Sequence, residues 1–228
     1  MTLPLRERAF LEHLLTSEVL RFGSFTTKSG RQSPYFFNTG KFDSGVKIRK
    51  AAALYADLIA DHFGSEVDNL FGPAYKGIPL AVATAQILSE KLQRDVTFTF
   101  NRKESKNHGE GGALIGYQYE GGEKVVVIED VITGGTSVRE TMPLLQKAGV
   151  QVLGLVVGVD RQERGHEDLT AMEEVRQNWG IRGYSLLTVD QIVKTLTGQE
   201  FNGKVWIDPM LKSSIDTYRS LYGSAGAL

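Results

Sequence analysis

Residues 125–137 read VVVIEDVITGGTS: an apolar run ends in adjacent carboxylates, Glu129 and Asp130, and then breaks into a turn of small and hydroxyl-bearing residues. Such a run suits a buried parallel strand, and open α/β sheets bind ligands in the crevice beyond the carboxyl ends of their strands. Thr133, Gly134, Gly135, Thr136 and Ser137 lead straight into a predicted helix. Their backbone N–H groups and three hydroxyls could surround a phosphate at that helix's positive end. The acids repel phosphate and must face something else: sugar hydroxyls, which donate to carboxylates, or a divalent cation held largely through water and substrate oxygens. Phosphate on one side and polyol on the other describe a phosphorylated ribose. The competing reading is an acid pair that merely ends a strand and caps a turn. Neither GxxxxGK(S/T) nor GxGxxG occurs here, which excludes a Walker loop and a dinucleotide fingerprint.

Three more segments carry chemistry. In FGPAYKGIPLA, residues 71–81, a short strand ends in a Gly-Pro-Ala-Tyr-Lys-Gly turn before a helix, a second anion cradle or an ordinary loop with a solvated lysine. In NRKESKNHGEGG, residues 101–112, Arg102, Lys103, Lys106 and His108 crowd together with no apolar residue among them, and glycines follow. This stretch cannot anchor itself by burial; it reads as a solvated face or as a basic lid that neutralises a leaving group and excludes water. In FTTKSGRQSPYFFN, residues 25–38, Lys28 precedes a turn and could meet an acidic base or a phosphate. Phe36 and Phe37 follow; on a strand they face opposite ways, one free to pack as core. His13, His62 and His166 fit surface positions and form no catalytic pair.

The elements that must position these groups alternate between strand and helix patterns, which argues for a single α/β unit with helices on both faces of a mainly parallel sheet. Ser44 is placed to cap a helix over residues 47–62, with Ile48, Ala51, Tyr55, Leu58 and Ile59 on one face. Strands are predicted near Leu70 and at VTFTF, VVVIE and VQVLGLVVGV, with helices through IPLAVATAQILSEKL and SVRETMPLLQKAG. A helix over residues 9–20 and short, Gly- and Pro-punctuated strands read as a flap at the sheet's edge. With 26 basic and 27 acidic residues, the chain has no global field to draw it to nucleic acid or anionic lipid. The absence of cysteine excludes a disulfide framework and cysteine metal sites. No apolar run reaches the roughly 20 residues that cross a bilayer, and no secretion signal is evident, so a cytoplasmic location is expected.

IEDVITGGTS resembles the phosphoribosyl-diphosphate loop of type I phosphoribosyltransferases, and the other three segments are similar to those of the orotate-using branch of that family. The likeness spans about residues 22–161, and no functional residue is carried from the looser match beyond. It implies one phosphoribosyltransferase domain over residues 1–228, with a small hood from about 1–40 and a lid at about 101–113. The implied activity is transfer of ribose 5-phosphate from phosphoribosyl diphosphate to N1 of orotate, giving orotidine 5′-monophosphate and pyrophosphate in pyrimidine (UMP) synthesis. Mg2+ would enter with the donor, bound mainly through it and water rather than by side chains.

Donor contacts implied by the resemblance fall on Lys28, on Tyr75 and Lys76 in a loop that carries a non-proline cis peptide, and on Arg102, Lys103, Lys106 and His108. They continue through Glu129, Asp130, Val131 and Ile132 to the turn at 133–137. Lys76, Lys103, Lys106, His108 and Asp130 are the implied catalytic residues. Lys28, Phe36, Phe37, Thr133 and Arg161 would hold orotate, with Arg161 pairing with its carboxylate. A homodimer is implied in which each lid reaches the neighbouring site, with no nucleic-acid or membrane partner. A purine-using relative would keep the turn but not need Lys28, Phe36, Phe37 and Arg161 around a carboxylated base. A regulator built on this fold would show a basic surface or an added DNA-binding helix pair.

Overall fold

The computed structural model describes residues 3–27, 30–103, 113–165 and 169–224. In chain order these form α1 (Leu5–Thr16), β1 (Leu20–Thr26), β2 (Gln32–Phe37), α2 (Gly45–Phe63), β3 (Asn69–Phe71), α3 (Gly77–Leu92), β4 (Thr97–Asn101) and β5 (Leu114–Gly116). They continue as β6 (Lys124–Ile132), α4 (Thr136–Lys147), β7 (Gln151–Asp160), α5 (Ala171–Trp179), β8 (Arg182–Thr188), α6 (Val189–Leu196), β9 (Glu200–Phe201), β10 (Lys204–Val205) and α7 (Pro209–Tyr222).

The predicted α/β architecture is present as a six-stranded sheet in the order β5-β4-β3-β6-β7-β8. Every pairing is parallel except β4 with β5. The valine-rich β6 lies at its centre, Leu70 of β3 opposite Val126 and Val156 of β7 opposite Ile128. Alternation along β6 divides the core. Val126 and Ile128 join α1, α2, α3, α6 and α7 in one apolar cluster, whereas Val125 and Val127 join α4 and α5 in the other. All four are fully buried, each contributing about 1.5–3 kcal/mol.

Two expectations need correction. The first helix ends at Thr16 rather than Leu20, because Ser17 caps it, Glu18 turns the chain at φ 56°, and Leu20 opens β1. Its helix packs on α2 and β8, so the part of the first forty residues that stands apart is the β1–β2 hairpin, backed by α7. His13 is buried rather than superficial: Nε2 lies 2.8 Å from the Lys47 carbonyl, Nδ1 3.3 Å from Ser17 Oγ, and the ring stacks on Phe42. Those polar contacts satisfy an imidazole that helical spacing puts on the side of buried Phe10. Desolvation holds its pKa below the usual histidine value, the Lys47 carbonyl opposing this in part. His62 is exposed, stacked on Tyr184, and His166 lies outside the described residues.

Candidate active site

Three of the described α-helices, α1 behind Pro4, α3 and α4, start without a side-chain cap. Ser44, Thr170, Thr188 and Asp208 each accept a first-turn N–H at the start of α2, α5, α6 and α7. The helices that follow the two candidate anion loops, α3 and α4, have no such bond; at α3 the Gly77 and Ile78 N–H groups donate instead to the Pro73 and Tyr75 carbonyls and Pro79 has none, whereas the leading N–H groups of α4 have no partner among the described residues and remain available to a ligand. At α4 the N-cap is Gly135, at φ 72°, a left-handed conformation glycine adopts without strain. A Cβ there would stand 3.0 Å from Ala171 Cβ. The turn is held from behind by Arg139, whose Nη2 donates to the Gly134 carbonyl at 2.6 Å and whose Nη1 meets Glu174 Oε2 at 2.6 Å. Sequence reading passed over this strut, whose ends lie on different helices. Arg139→Ala should raise KM for a phosphorylated ribose donor roughly tenfold while that for the base changes less than about twofold. Steady-state kinetics with each substrate varied checks this, and equal rises would make Arg139 a general stability residue.

The acid pair sits inside β6, not beyond it, so the carboxylates leave on opposite faces. Tyr55, 1% exposed, donates to the Glu129 carbonyl at 2.8 Å and pins the strand end. It passes over Gly158, where a Cβ would come within 2.4 Å of the hydroxyl. Asp130 Oδ2 accepts from Thr39 in the turn after the hairpin and lies 3.5 Å from Lys76 Nζ. Thr39 is a contact that sequence reading missed. Glu129 lies toward Ser137 of α4 and Lys103. Desolvation pushes its carboxyl up to about 7 and Asp130 adds to the rise, while the Ser137 hydrogen bond and Lys103 oppose it.

At the second loop Gly72 and Gly77 touch so closely that a Cβ on Gly72 would lie 2.3 Å from the Gly77 carbonyl oxygen. The Ala74–Tyr75 peptide is cis, as the family likeness implies, and Asn101 Oδ1 accepts from the Ala74 N–H at 2.9 Å. Tyr75 and Lys76 face solvent, each more than half exposed. Lys103 Nζ stands 5.9 Å from the Tyr75 ring centre, which brings Lys103 to this loop. The Arg102 N–H donates to the Ala113 carbonyl across the base of the segment, and its Nε is buried without a partner. Lys28, Lys106 and His108 lie outside the described residues.

The hairpin supplies the remaining wall. Phe37 is core, 6% exposed, while Phe36 faces outward against Phe25. Arg161 follows β7, its backbone N–H donating to the Ile132 carbonyl at 3.1 Å, which sets it beside the turn that begins at Thr133. Burial opposes its charge, but Glu163, Tyr35 and Tyr218 together raise its pKa. No described group of three or more His, Asp or Glu side chains could hold a metal alone; two carboxylates suit a hard cation that brings substrate oxygens with it. No described helix is long and apolar enough to cross a membrane.

The family described as "Phosphoribosyl transferase domain" matches residues 44–188. A protein of Lachnoclostridium phytofermentans named orotate phosphoribosyltransferase is 49% identical over 218 residues, 95% of this chain and 97% of that one. Its namesake in Pseudomonas aeruginosa is 43% identical over 220 residues, 95% and 98% of the two chains. The crystal structure of orotate phosphoribosyltransferase from Francisella tularensis superposes with TM-score 0.75 at 36% identity, covering 94% of this chain and 99% of that one. A glycine-rich turn before an uncapped helix, an acid pair near the end of the preceding strand and near full-length relatedness agree: this chain belongs to the orotate phosphoribosyltransferase family.

Proposed function

We propose that this chain transfers the 5-phosphoribosyl group from phosphoribosyl diphosphate to N1 of orotate, a step of pyrimidine nucleotide synthesis. The C1′–oxygen bond to pyrophosphate breaks, a C1′–N1 bond forms, and the products are orotidine 5′-monophosphate and pyrophosphate. The observation that carries this reading is the pairing of an uncapped helix start with Asp130 and Glu129 on the strand that leads into it, a phosphate cradle joined to a sugar-hydroxyl acceptor.

The turn at 133–137, with Val131 and Ile132 leading into it, takes the 5-phosphate, and Asp130 and Glu129 take the ribose hydroxyls. Their negative charge favours the cation-like sugar of the transition state. Lys76, Tyr75, Arg102 and Lys103 neutralise the departing pyrophosphate, with Lys28, Lys106 and His108 assigned to the same end. The Phe36 ring, the backbone of Phe36 and Phe37, and Thr133 bound the pyrimidine, and Arg161 meets its carboxylate. Bound as its ring anion, orotate needs no base to make N1 nucleophilic, so no covalent intermediate arises. Mg2+, entering with the donor, would offset charge on the leaving group.

The chain works as one domain, in the cytoplasm, as a two-fold dimer in which the 101–113 lid serves the neighbouring site. Sedimentation as a monomer at assay concentration would remove that shared site. The reaction itself is tested by mixing purified protein, Mg2+, phosphoribosyl diphosphate and orotate: orotate's ultraviolet absorbance should fall. No change, with turnover of a purine base instead, would overturn the assignment.

A further inference from the structure

Arg161 is not free to choose how it meets a ligand. Its Nε donates to Glu163 Oε1 at 2.8 Å, and its Nη2 reaches the same oxygen at 2.5 Å. Nη2 also lies 3.2 Å from the Tyr218 hydroxyl and 3.5 Å from Ser33 Oγ. One long edge of the guanidinium is therefore occupied, and Nη1 has no hydrogen-bond partner among the described residues. The plane is steadied by Tyr35, whose ring centre is 5.1 Å from the guanidinium carbon. Glu163 is itself fixed, accepting from Tyr218 at 3.0 Å through Oε1 and from Arg31 at 3.3 Å through Oε2. Arg161 is 8% exposed and Glu163 only 2%.

Stability is a poor reason for this arrangement. A buried ion pair is often matched or bettered by apolar residues of similar volume, so its contribution is better sought in geometry. A guanidinium is a planar fork whose recognition of a carboxylate depends on which edge is offered. With Glu163 on the Nε–Nη2 edge, only the Nη1 end remains for an incoming carboxylate. Charge agrees: Arg31 and Arg161 against Glu163 leave one net positive charge, the complement of one carboxylate.

We propose that Glu163, locked by Tyr218 of α7, is a positioning residue that sets which end of Arg161 faces the base, so that the C-terminal helix tunes selection of a carboxylated pyrimidine. This rests on the reading that Arg161 meets the orotate carboxylate. The test compares Glu163→Gln, Tyr218→Phe and Arg161→Ala by steady-state kinetics with orotate and donor each varied, and with uracil as a competitor that lacks the carboxylate. Glu163→Gln should raise KM for orotate roughly tenfold, and Tyr218→Phe about threefold, with KM for the donor and inhibition by uracil each changed less than about twofold. In the Arg161→Ala background, Glu163→Gln should add nothing further to KM for orotate. Parallel rises for orotate, donor and uracil would mean a merely structural role and overturn the proposal. So would a raised KM in Arg161→Ala with none in the other two variants, leaving the assignment of Arg161 standing. An unchanged KM in Arg161→Ala would instead remove that assignment, and this proposal with it. Should Glu163→Gln fail to fold, Tyr218→Phe, which keeps both charges, decides alone.

Discussion

Asp130→Asn should lower kcat/KM about a hundredfold or more while moving the thermal midpoint by no more than about 2 °C. The two effects separate because of what the carboxylate touches. Its Oδ2 accepts from Thr39, a bond an amide oxygen can also accept, so the turn after the hairpin keeps its anchor. Its other partner, Lys76 at 3.5 Å, is half exposed, and a pair so solvated is worth at most about 1 kcal/mol. What asparagine cannot replace is the charge facing the cation-like ribosyl group, stabilisation that matters only in the transition state. Side-by-side thermal unfolding and initial rates decide the matter. A variant that melts early, even with donor bound, would show that Asp130 serves chiefly to end the strand and tie the turn.

The central turn was legible because its determinants are contiguous: an apolar run, two acids and a glycine-rich turn before a helix occupy thirteen residues. The central parallel strands β6 and β7 were legible for the same reason, long apolar runs buried on both faces, whereas the parallel edge strand β8, RGYSLLT, is only partly buried, carries no such run and was not anticipated. What escaped is long in range. Thr39 meets Asp130 across 91 positions, Arg31 meets Glu163 across 132, and Tyr218 meets Glu163 across 55. Spacings of this size leave no periodic trace, so α7, which resemblance left without a role, holds a group that buttresses Arg161. His13 escaped for a related reason. Its burial is permitted by a carbonyl and an aromatic ring contributed by the α1–α2 junction, and neither partner is near it in sequence. Strand length misled in a smaller way. Because β6 continues through Asp130 to Ile132, the acids are parted by the pleat rather than delivered side by side.

That parting gives the carboxylates different surroundings and makes Glu129 the pH-sensitive member. Its carboxyl is raised from 4.5 to about 7, chiefly by desolvation. A raised folded-state pKa means that the folded protein holds this proton more tightly than the unfolded chain between those values. Stability from this group is complete below about pH 4.5 and is lost as pH rises through about 7. Its size is about 1–3 kcal/mol, the lower end reflecting partial exposure. Without donor, Glu129→Gln should therefore be more stable than the parent at pH 8 by that amount and indistinguishable from it near pH 4, as read from denaturant midpoints. Donor binding should run the opposite way. Ribose hydroxyls need an ionised acceptor, so parent affinity should climb about tenfold per pH unit below 7 and level off above. Phosphates on the donor titrate nearby, and Glu129→Gln separates the two sources, since it removes only the protein's proton. A parent whose stability is flat between pH 5 and 8, or a variant that keeps the parent's full affinity slope, would show that Glu129 is ionised throughout and that its strand position does not set its charge.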